Sequence, residues 1–382
     1  MPASAHTAHQ PAAIHQRSLV IDSHIDISYQ LSKGAMKLGS RREEGHFDLV
    51  RAREGGLDAS FWVAFVPSTF NRPGSSEGAK GGAYAEALRQ IKLVKDAVAA
   101  NATQVGLAST PDELLELVAS GKHAAVIALE NGGAIEGDLG KLRALFDAGV
   151  RYVTPVHSRD NHLCDSSYDD RHTHGGLSAF GEQAVREMNQ LGMMIDVSHV
   201  TDQAFWKILA LSTKPVLATH SGLRHFKRME RNVSDKMLRA LADRGGVLQI
   251  NFGSWFLDAK VARKLDVMRD ELKAMEKAGA DQATRDAREA ELWRAFRASN
   301  ATVDDLVEQI DYAVKLVGAD HVGLGSDFEG VHGTPVGLED VSDYPAITAA
   351  LLQRGYSAEQ IDQINGGNLM RVWRANLEGT TP

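Results

Sequence analysis

The sequence predicts an α/β protein, specifically a (β/α)8 TIM-type barrel with a metal site at its C-terminal rim. Eight short apolar runs recur along the 382 residues, at 19–26, 59–66, 124–130, 151–157, 193–199, 215–220, 246–251 and 322–327. Nearly continuous Val, Ile and Leu runs are what strands buried on both faces of a parallel sheet require. Almost every run ends in a polar residue, several of them metal-binding types, and the carboxyl ends of barrel strands form the catalytic face. Amphipathic segments separate the runs, so strand and helix alternate and the crossovers are right-handed.

The first run, Leu19 to Asp26, ends in the pair His24-x-Asp26. Residues 28–56 and 67–82 flank the second run, are rich in Gly, Ser and charge, and are expected as rim loops. Residues 83–100 place Leu88, Ile91, Val94 and Val98 on one helical face. Thr110-Pro111-Asp112-Glu113 opens a helix over 111–119 with a cap, a proline in the first turn and acids beside it. Further helices are expected at 138–148, 178–191, 202–211 and 234–244, several stopping at glycine as at Gly149, Gly192 and Gly245. Residues 256–300 read as a highly charged helical insertion after the seventh run, mainly a solvated face, with a lid or dimer contact as the minority reading. The expectation is one domain over 19–377 behind a polar leader, 1–18, whose His6, His9 and His15 belong to a loosely held tail.

A net charge of −8 gives no electrostatic reason to bind nucleic acid or acidic membranes. No run reaches the roughly 18 apolar residues of a membrane helix, and the first 18 residues lack the apolar centre of a secretion signal. A cytoplasmic protein is the expectation, and a homodimer is compatible with it. Cys164 is the only cysteine, which excludes an intrachain disulfide and a cysteine-based zinc site.

His24 and Asp26, two apart at a strand end, project to one side and can reach one divalent ion. Alone, such a pair is common by chance. Glu130, His199 and His220 end the third, fifth and sixth runs. Three imidazoles and two carboxylates at one mouth can hold two zinc ions if one carboxylate bridges. His157 and Asp327 end the fourth and eighth runs, and Arg231 follows the sixth. An arginine there can bind a carboxylate through two parallel hydrogen bonds, though a surface ion pair is the blander reading. Asp327 could instead cap a helix, and His157 could hold a ligand in place. The chain lacks a His-Glu-x-x-His motif and a Gly-x-Ser-x-Gly elbow, and Gly323-x-Gly325 lacks the third glycine of a dinucleotide fingerprint. Cys164 reads as a packed thiol.

Taken together, Asp22-Ser23-His24-Ile25-Asp26, Leu129-Glu130-Asn131-Gly132, Asp196-Val197-Ser198-His199, Thr219-His220-Ser221, Arg231-Asn232-Val233-Ser234-Asp235, Gly323-Leu324-Gly325-Ser326-Asp327-Phe328 and Asn365-Gly366-Gly367-Asn368-Leu369 resemble the membrane dipeptidase family of zinc peptidases. The likeness runs from Ile21 to about Trp373. It implies a (β/α)8 barrel with two zinc ions, His24, Asp26 and Glu130 on one and Glu130, His199 and His220 on the other. It further implies that His157 stabilises the carbonyl oxygen, Arg231 holds the substrate carboxylate and Asp327 moves protons. A metal-bridging hydroxide would then hydrolyse dipeptides with a free terminal carboxylate, L,D-dipeptides among them, the water's pKa falling from about 16 towards roughly 7. The alternatives are a related barrel hydrolase acting on another amide or lactam, and a catalytically silent metal-binding protein. Where family members often carry tyrosine after Asn251-Phe252, this chain has Gly253, so Trp255 or nothing takes its place.

Overall fold

The computed structural model describes residues 11–34, 37–71, 82–297, 300–331 and 333–380. Strands form in all eight apolar runs: β1 Ile21–Ile25, β2 Ala59–Phe65, β4 His123–Glu130, β5 Val150–Thr154, β6 Met194–Ile195, β7 Leu217–Ser221, β8 Val247–Ile250 and β9 Val322–Leu324. A ninth, β3, spans only Val105–Leu107 and pairs with the first half of β4. Three residues, one of them glycine, carry no periodicity from which a strand can be read. Every named pairing is parallel, in the orders β1-β2-β4-β5-β6 and β7-β8-β9. The fold is the predicted TIM-type α/β barrel.

Two seams close the ring, each carried by a single backbone bridge. Asp196 meets Leu217 between β6 and β7, and Ile25 meets Phe328 between β9 and β1. A buried carboxylate reinforces each seam. Asp196 Oδ1 accepts from Ser198 N (2.9 Å) and, across the seam, from Thr219 N (2.8 Å). Asp22 Oδ1 accepts from His24 N (3.0 Å) and, across its own seam, from Ser326 N (3.0 Å). Side chains thus supply ladder bonds that the short strands leave out.

Alternation sorts the strand residues into two layers. Phe61, Val63, Val126, Ala128, Tyr152 and Met194 fill the barrel, whereas Trp62, Ala64, Ile127, Leu129 and Val153 face the helices. Glu130 continues the inward series of β4. In β1 the register shifts between Asp22 and Ile25, and in β7 between Ala218 and Ser221. Strict alternation from Ile21 or Leu217 would send His24 and His220 into the outer layer, and these shifts reverse that parity. The helix Asn368–Leu377 plugs the base, Trp373 meeting Phe61 edge-on at 5.6 Å. Just before it Gly366 presses on β1, where a Cβ would lie 2.4 Å from the Leu19 carbonyl oxygen.

The six helices expected between the runs form as Gly82–Ala100, Pro111–Ala119, Leu139–Asp147, Ala179–Leu191, Asp202–Leu211 and Asp235–Asp243. Thr110 caps its helix by accepting from Glu113 N at 3.2 Å. Gly192 ends another in the left-handed region, at φ 72°. The two expected rim loops differ from expectation. Residues 28–56 are not all loop: Ile27–Ser32 and Leu49–Glu54 are helical, the second capped by Asp48, which accepts from Arg51 N at 2.9 Å. Local polarity hid them because their few apolar residues, such as Ile27 and Leu49, are buried. Of 67–82, Ser68–Asn71 is a 3-10 turn, while 72–81 lies outside the described residues.

His15 does not sit in a loose tail. It is buried, with Nδ1 2.8 Å from Thr348 Oγ1 and Nε2 2.8 Å from the Gly55 carbonyl oxygen; His6 and His9 lie outside the described residues. The charged segment after β8 forms a hairpin of Ala259–Lys277 and Gln282–Arg297. Its small apolar core contains Val261, Leu265, Met268 and Phe296, with Trp255 packed against it. No described helix is long and apolar enough to cross a membrane.

Candidate metal and active site

The rim brings the predicted residues to one place. Glu130 is the last residue of β4, and His24 and His220 lie within β1 and β7. Asp26 follows β1 directly, whereas His157, His199 and Asp327 sit three to four residues beyond β5, β6 and β9. Sharp turns bring two of these late residues back: His199 has φ 69° and Asp327 φ 61°. Such backbone costs on the order of 1–3 kcal/mol per non-glycine residue and collects at functional sites.

Glu130 is the hub. Its Oε1 lies 3.1 Å from His199 Nε2 and 3.4 Å from His220 Nε2, and its Oε2 lies 3.7 Å from His24 Nε2. His24 Nε2 is 3.8 Å from Asp26 Oδ2. Three overlapping triples have ligand atoms within 4.8 Å of one another: His24, Glu130 and His220; Glu130, His157 and His199; His24, Asp26 and Asp327. His157 therefore stands within ligand reach as well as facing the cavity, with its ring centroid 4.4 Å from that of His199.

Hydrogen bonds behind the cluster decide which ring nitrogen faces it. Tyr152 donates its hydroxyl proton to the Ser23 carbonyl oxygen (3.0 Å), so it must accept from His24 Nδ1 (2.8 Å). Thr219 Oγ1 donates to Asp196 Oδ2 (2.8 Å), so it must accept from His220 Nδ1 (2.8 Å). Each ring therefore protonates Nδ1 and turns the Nε2 lone pair inward, the form a metal needs. Nothing in the sequence alone assigns a role to Tyr152, Thr219 or Asp196. The Asp196-Val197-Ser198-His199 and Thr219-His220 motifs mark the places of Asp196 and Thr219, and Tyr152 lies only within the fourth apolar run.

The cluster is polar, buried and under-satisfied. His24 Nε2, Asp26 Oδ1, Glu130 Oε1 and His199 Nδ1 are buried without a hydrogen-bond partner. His199 Nε2 and His220 Nε2 approach to 2.9 Å, although neutral rings in the required tautomer would set lone pair against lone pair. Unpaired buried groups of this kind cost free energy unless a cation meets them. Charge agrees. Burial works against protonation of His24, yet Glu130, Asp26 and Asp327 together raise it to about 10. Burial, and then the charges of Arg231 and His157, hold His199 well below the usual imidazole range. The donor set of imidazoles and carboxylates thus fits divalent metal.

Above the cluster lies a cavity of about 1000 Å³ lined by Asp26, Glu130, His157, His199, His220, Arg231 and Asp327, and walled by Tyr29, Phe65, Tyr168 and Trp255. Arg231 is buried, not a surface ion-pair residue. Its Nη1 donates to Ser221 Oγ (2.6 Å), its Nη2 to the His220 carbonyl oxygen (2.7 Å), and its Nε has no partner. Asp327 accepts from Asn251 Nδ2 at 2.8 Å, and burial lifts its carboxyl to about 6 despite the opposing charge of His24. Asp327 precedes no helix that it could cap. Gly253 is crowded, a Cβ there lying 3.0 Å from both Asn251 Oδ1 and Phe256 Cδ2, and Trp255 reaches the cavity two residues on. Cys164 is buried, and its thiol contacts the Asp165 carbonyl oxygen at 3.3 Å, as a packed residue does.

Comparison with known proteins agrees with this geometry. The family model described as membrane dipeptidase (peptidase family M19) matches residues 8–380. Dipeptidase tcpJ of Claviceps purpurea is 32% identical over 330 residues, covering 86% of this chain and 69% of that protein. Dipeptidase verJ of Clonostachys rogersoniana is 32% identical over 331 residues, covering 86% and 75%. The crystal structure of the probable dipeptidase PvdM from Pseudomonas aeruginosa matches with a TM-score of 0.84 at 29% identity, over 98% of this chain and 99% of its own. The chain belongs to the membrane dipeptidase family, peptidase family M19, and is a metallo-dipeptidase.

Proposed function

We propose that this dipeptidase holds two zinc ions, one on His24, Asp26 and Glu130 and the other on Glu130, His199 and His220, and hydrolyses dipeptides bearing a free terminal carboxylate, L,D-dipeptides among them. The observation that carries the reading is the convergence on Glu130 of three imidazole nitrogens, two of them turned inward by Tyr152 and Thr219. When bound, such ions supply a water ionised near neutrality and a Lewis acid for the scissile carbonyl.

The protein's own groups do the rest. Arg231, held on Ser221 and the His220 carbonyl, presents its free Nε–H to the substrate carboxylate and sets the register of the peptide bond. His157, edge-on to Phe65 at 4.7 Å and beside His199, donates to the carbonyl oxygen as negative charge develops there. Asp327, raised to about 6, accepts the proton of the attacking water and passes it to the departing amine nitrogen. A carboxyl poised near the working pH does both tasks better than one at its ordinary value.

The test is metal analysis joined to a panel of L,L- and L,D-dipeptides. Two zinc ions per chain, with hydrolysis lost on chelation and regained with zinc, are expected. Activity indifferent to metal, or one ion per chain at full activity, would refute the arrangement.

A further inference from the structure

The cavity floor is accounted for by metal ligands and catalytic groups, but its mouth is not. Three cations line it from separate parts of the chain: Lys33 after the helix Ile27–Ser32, Arg159 in the loop beyond β5, and Arg269 on the hairpin helix Ala259–Lys277. All three are exposed. Among the described residues none of them forms an ion pair, and Lys33 makes only a ring contact, its Nζ 4.1 Å from the centre of Tyr29. Other cations at the mouth are committed, as Arg171 is to Asp169. The unpaired acid of the mouth is Asp170, so the uncommitted side chains leave an excess of positive charge.

That excess stands out on a chain whose net charge is −8. Unneutralised cations around a concave site focus field and attract anions. Arg269 belongs to the site rather than to the outer surface alone: it lines the same cavity as Tyr168, Arg231 and Asp327. Tyr168 in turn lies 5.8 Å from His199, ring to ring. Arg231 lies deep beside the metal ligands, where the backbone carboxylate of a dipeptide fits, so a second anion on the substrate would meet the mouth. The cavity, about 1000 Å³, is at the upper end for small-molecule sites and leaves room for a long side chain.

We infer that the preferred substrates are dipeptides with an acidic side chain, recognised at the mouth by Arg269 and Arg159 with support from Lys33. The inference rests on the dipeptidase reading and adds the substrate class. It also gives the charged hairpin a task, since Arg269 brings it over the active site.

The test compares isosteric pairs, Ala-Glu with Ala-Gln and Glu-Ala with Gln-Ala, in the zinc-loaded enzyme and in Arg269→Glu/Arg159→Glu. Both arginines are exposed and unpaired, so the variant is expected to fold. In at least one pair the acid should exceed its amide about tenfold in kcat/KM through KM, as two or three exposed ion pairs allow. The preference should shrink as salt rises from about 0.05 M to about 1 M, where the screening length falls to roughly 3 Å. The double variant should abolish or invert it. Calorimetric binding of the same peptides to the chelated protein should follow the same order. Hydrolysis of neutral dipeptides with no acid preference, or a preference that survives the double variant, overturns the inference alone. No hydrolysis of any dipeptide overturns it together with the dipeptidase reading.

Discussion

The two ends of β4 carry the same kinds of groups in opposite conditions. At the base His123 is buried with both ring nitrogens partnered, Nε2 to Ser60 Oγ at 2.8 Å and Nδ1 to the Leu57 carbonyl oxygen at 3.0 Å. At the rim Glu130 and the imidazoles around it are just as buried, yet several of their polar atoms have no partner. Burial alone therefore does not separate a structural histidine from a ligand. What marks the rim is unmet hydrogen-bonding capacity clustered around one carboxylate. The barrel gathers the unmet ionisable groups at its C-terminal face, whereas its base is filled with Phe61, Trp373 and their neighbours and leaves neutral atoms such as Trp373 Nε1 unpartnered.

Four variants test this contrast, from the largest expected effect to the smallest. Asp327→Asn should keep both metals yet lose about 10²- to 10⁴-fold in kcat, the range for a lost general acid–base. Steady-state kinetics with metal analysis measure this, and unchanged turnover would remove its proton-transfer role. Arg231→Ala should raise KM for dipeptides by roughly 30-fold or more, as removal of a buried charge partner does, with a much smaller effect on carboxyl-amidated substrates. Equal losses on both would contradict carboxylate binding.

Thr219→Val removes the acceptor that fixes His220 and should weaken metal binding about 10- to 100-fold, read by competition with a chelator. A change in kcat at saturating metal, with affinity intact, would point elsewhere. The smallest effect on activity belongs to the base. Burial holds His123 down to about 4, against an ordinary value of 6.5. The unfolded chain takes up a proton below pH 6.5 that the folded chain refuses until about pH 4, so stability falls as pH drops through that window. The loss should approach about 3 kcal/mol for this group. Urea melts of His123→Gln at pH 7 and pH 4.5 should show a flatter acid limb, and turnover at pH 7 should follow folded protein only. An equally steep limb would break the contrast.

The strands and the rim cluster of candidate ligands were legible because both follow one-dimensional rules. Buried parallel strands are near-continuous apolar runs, and a histidine or carboxylate closing such a run is conspicuous. Three things were hidden. The strand Val105–Leu107 and the helices Ile27–Ser32 and Leu49–Glu54 are too short for a period to emerge. The register shifts in β1 and β7 exist only against a neighbouring strand. The mouth gathers Lys33, Arg159 and Arg269 from positions more than a hundred residues apart, and in the sequence Arg269 looks like any charge on a solvated helix.

The two seams have a consequence for how the protein yields. The sheets β1-β2-β4-β5-β6 and β7-β8-β9 meet where the chain supplies fewest backbone bonds. His199 and His220 straddle one join, and His24, Asp26 and Asp327 the other. The proposed metal pair, once bound, would rivet the two staves of the cask at both joints, and its binding free energy would add directly to their cohesion. Chelation should accordingly speed amide hydrogen exchange first at Val197, Thr219, Asp26 and Asp327, whose N–H groups cross the joins, while the interior of β4 stays protected.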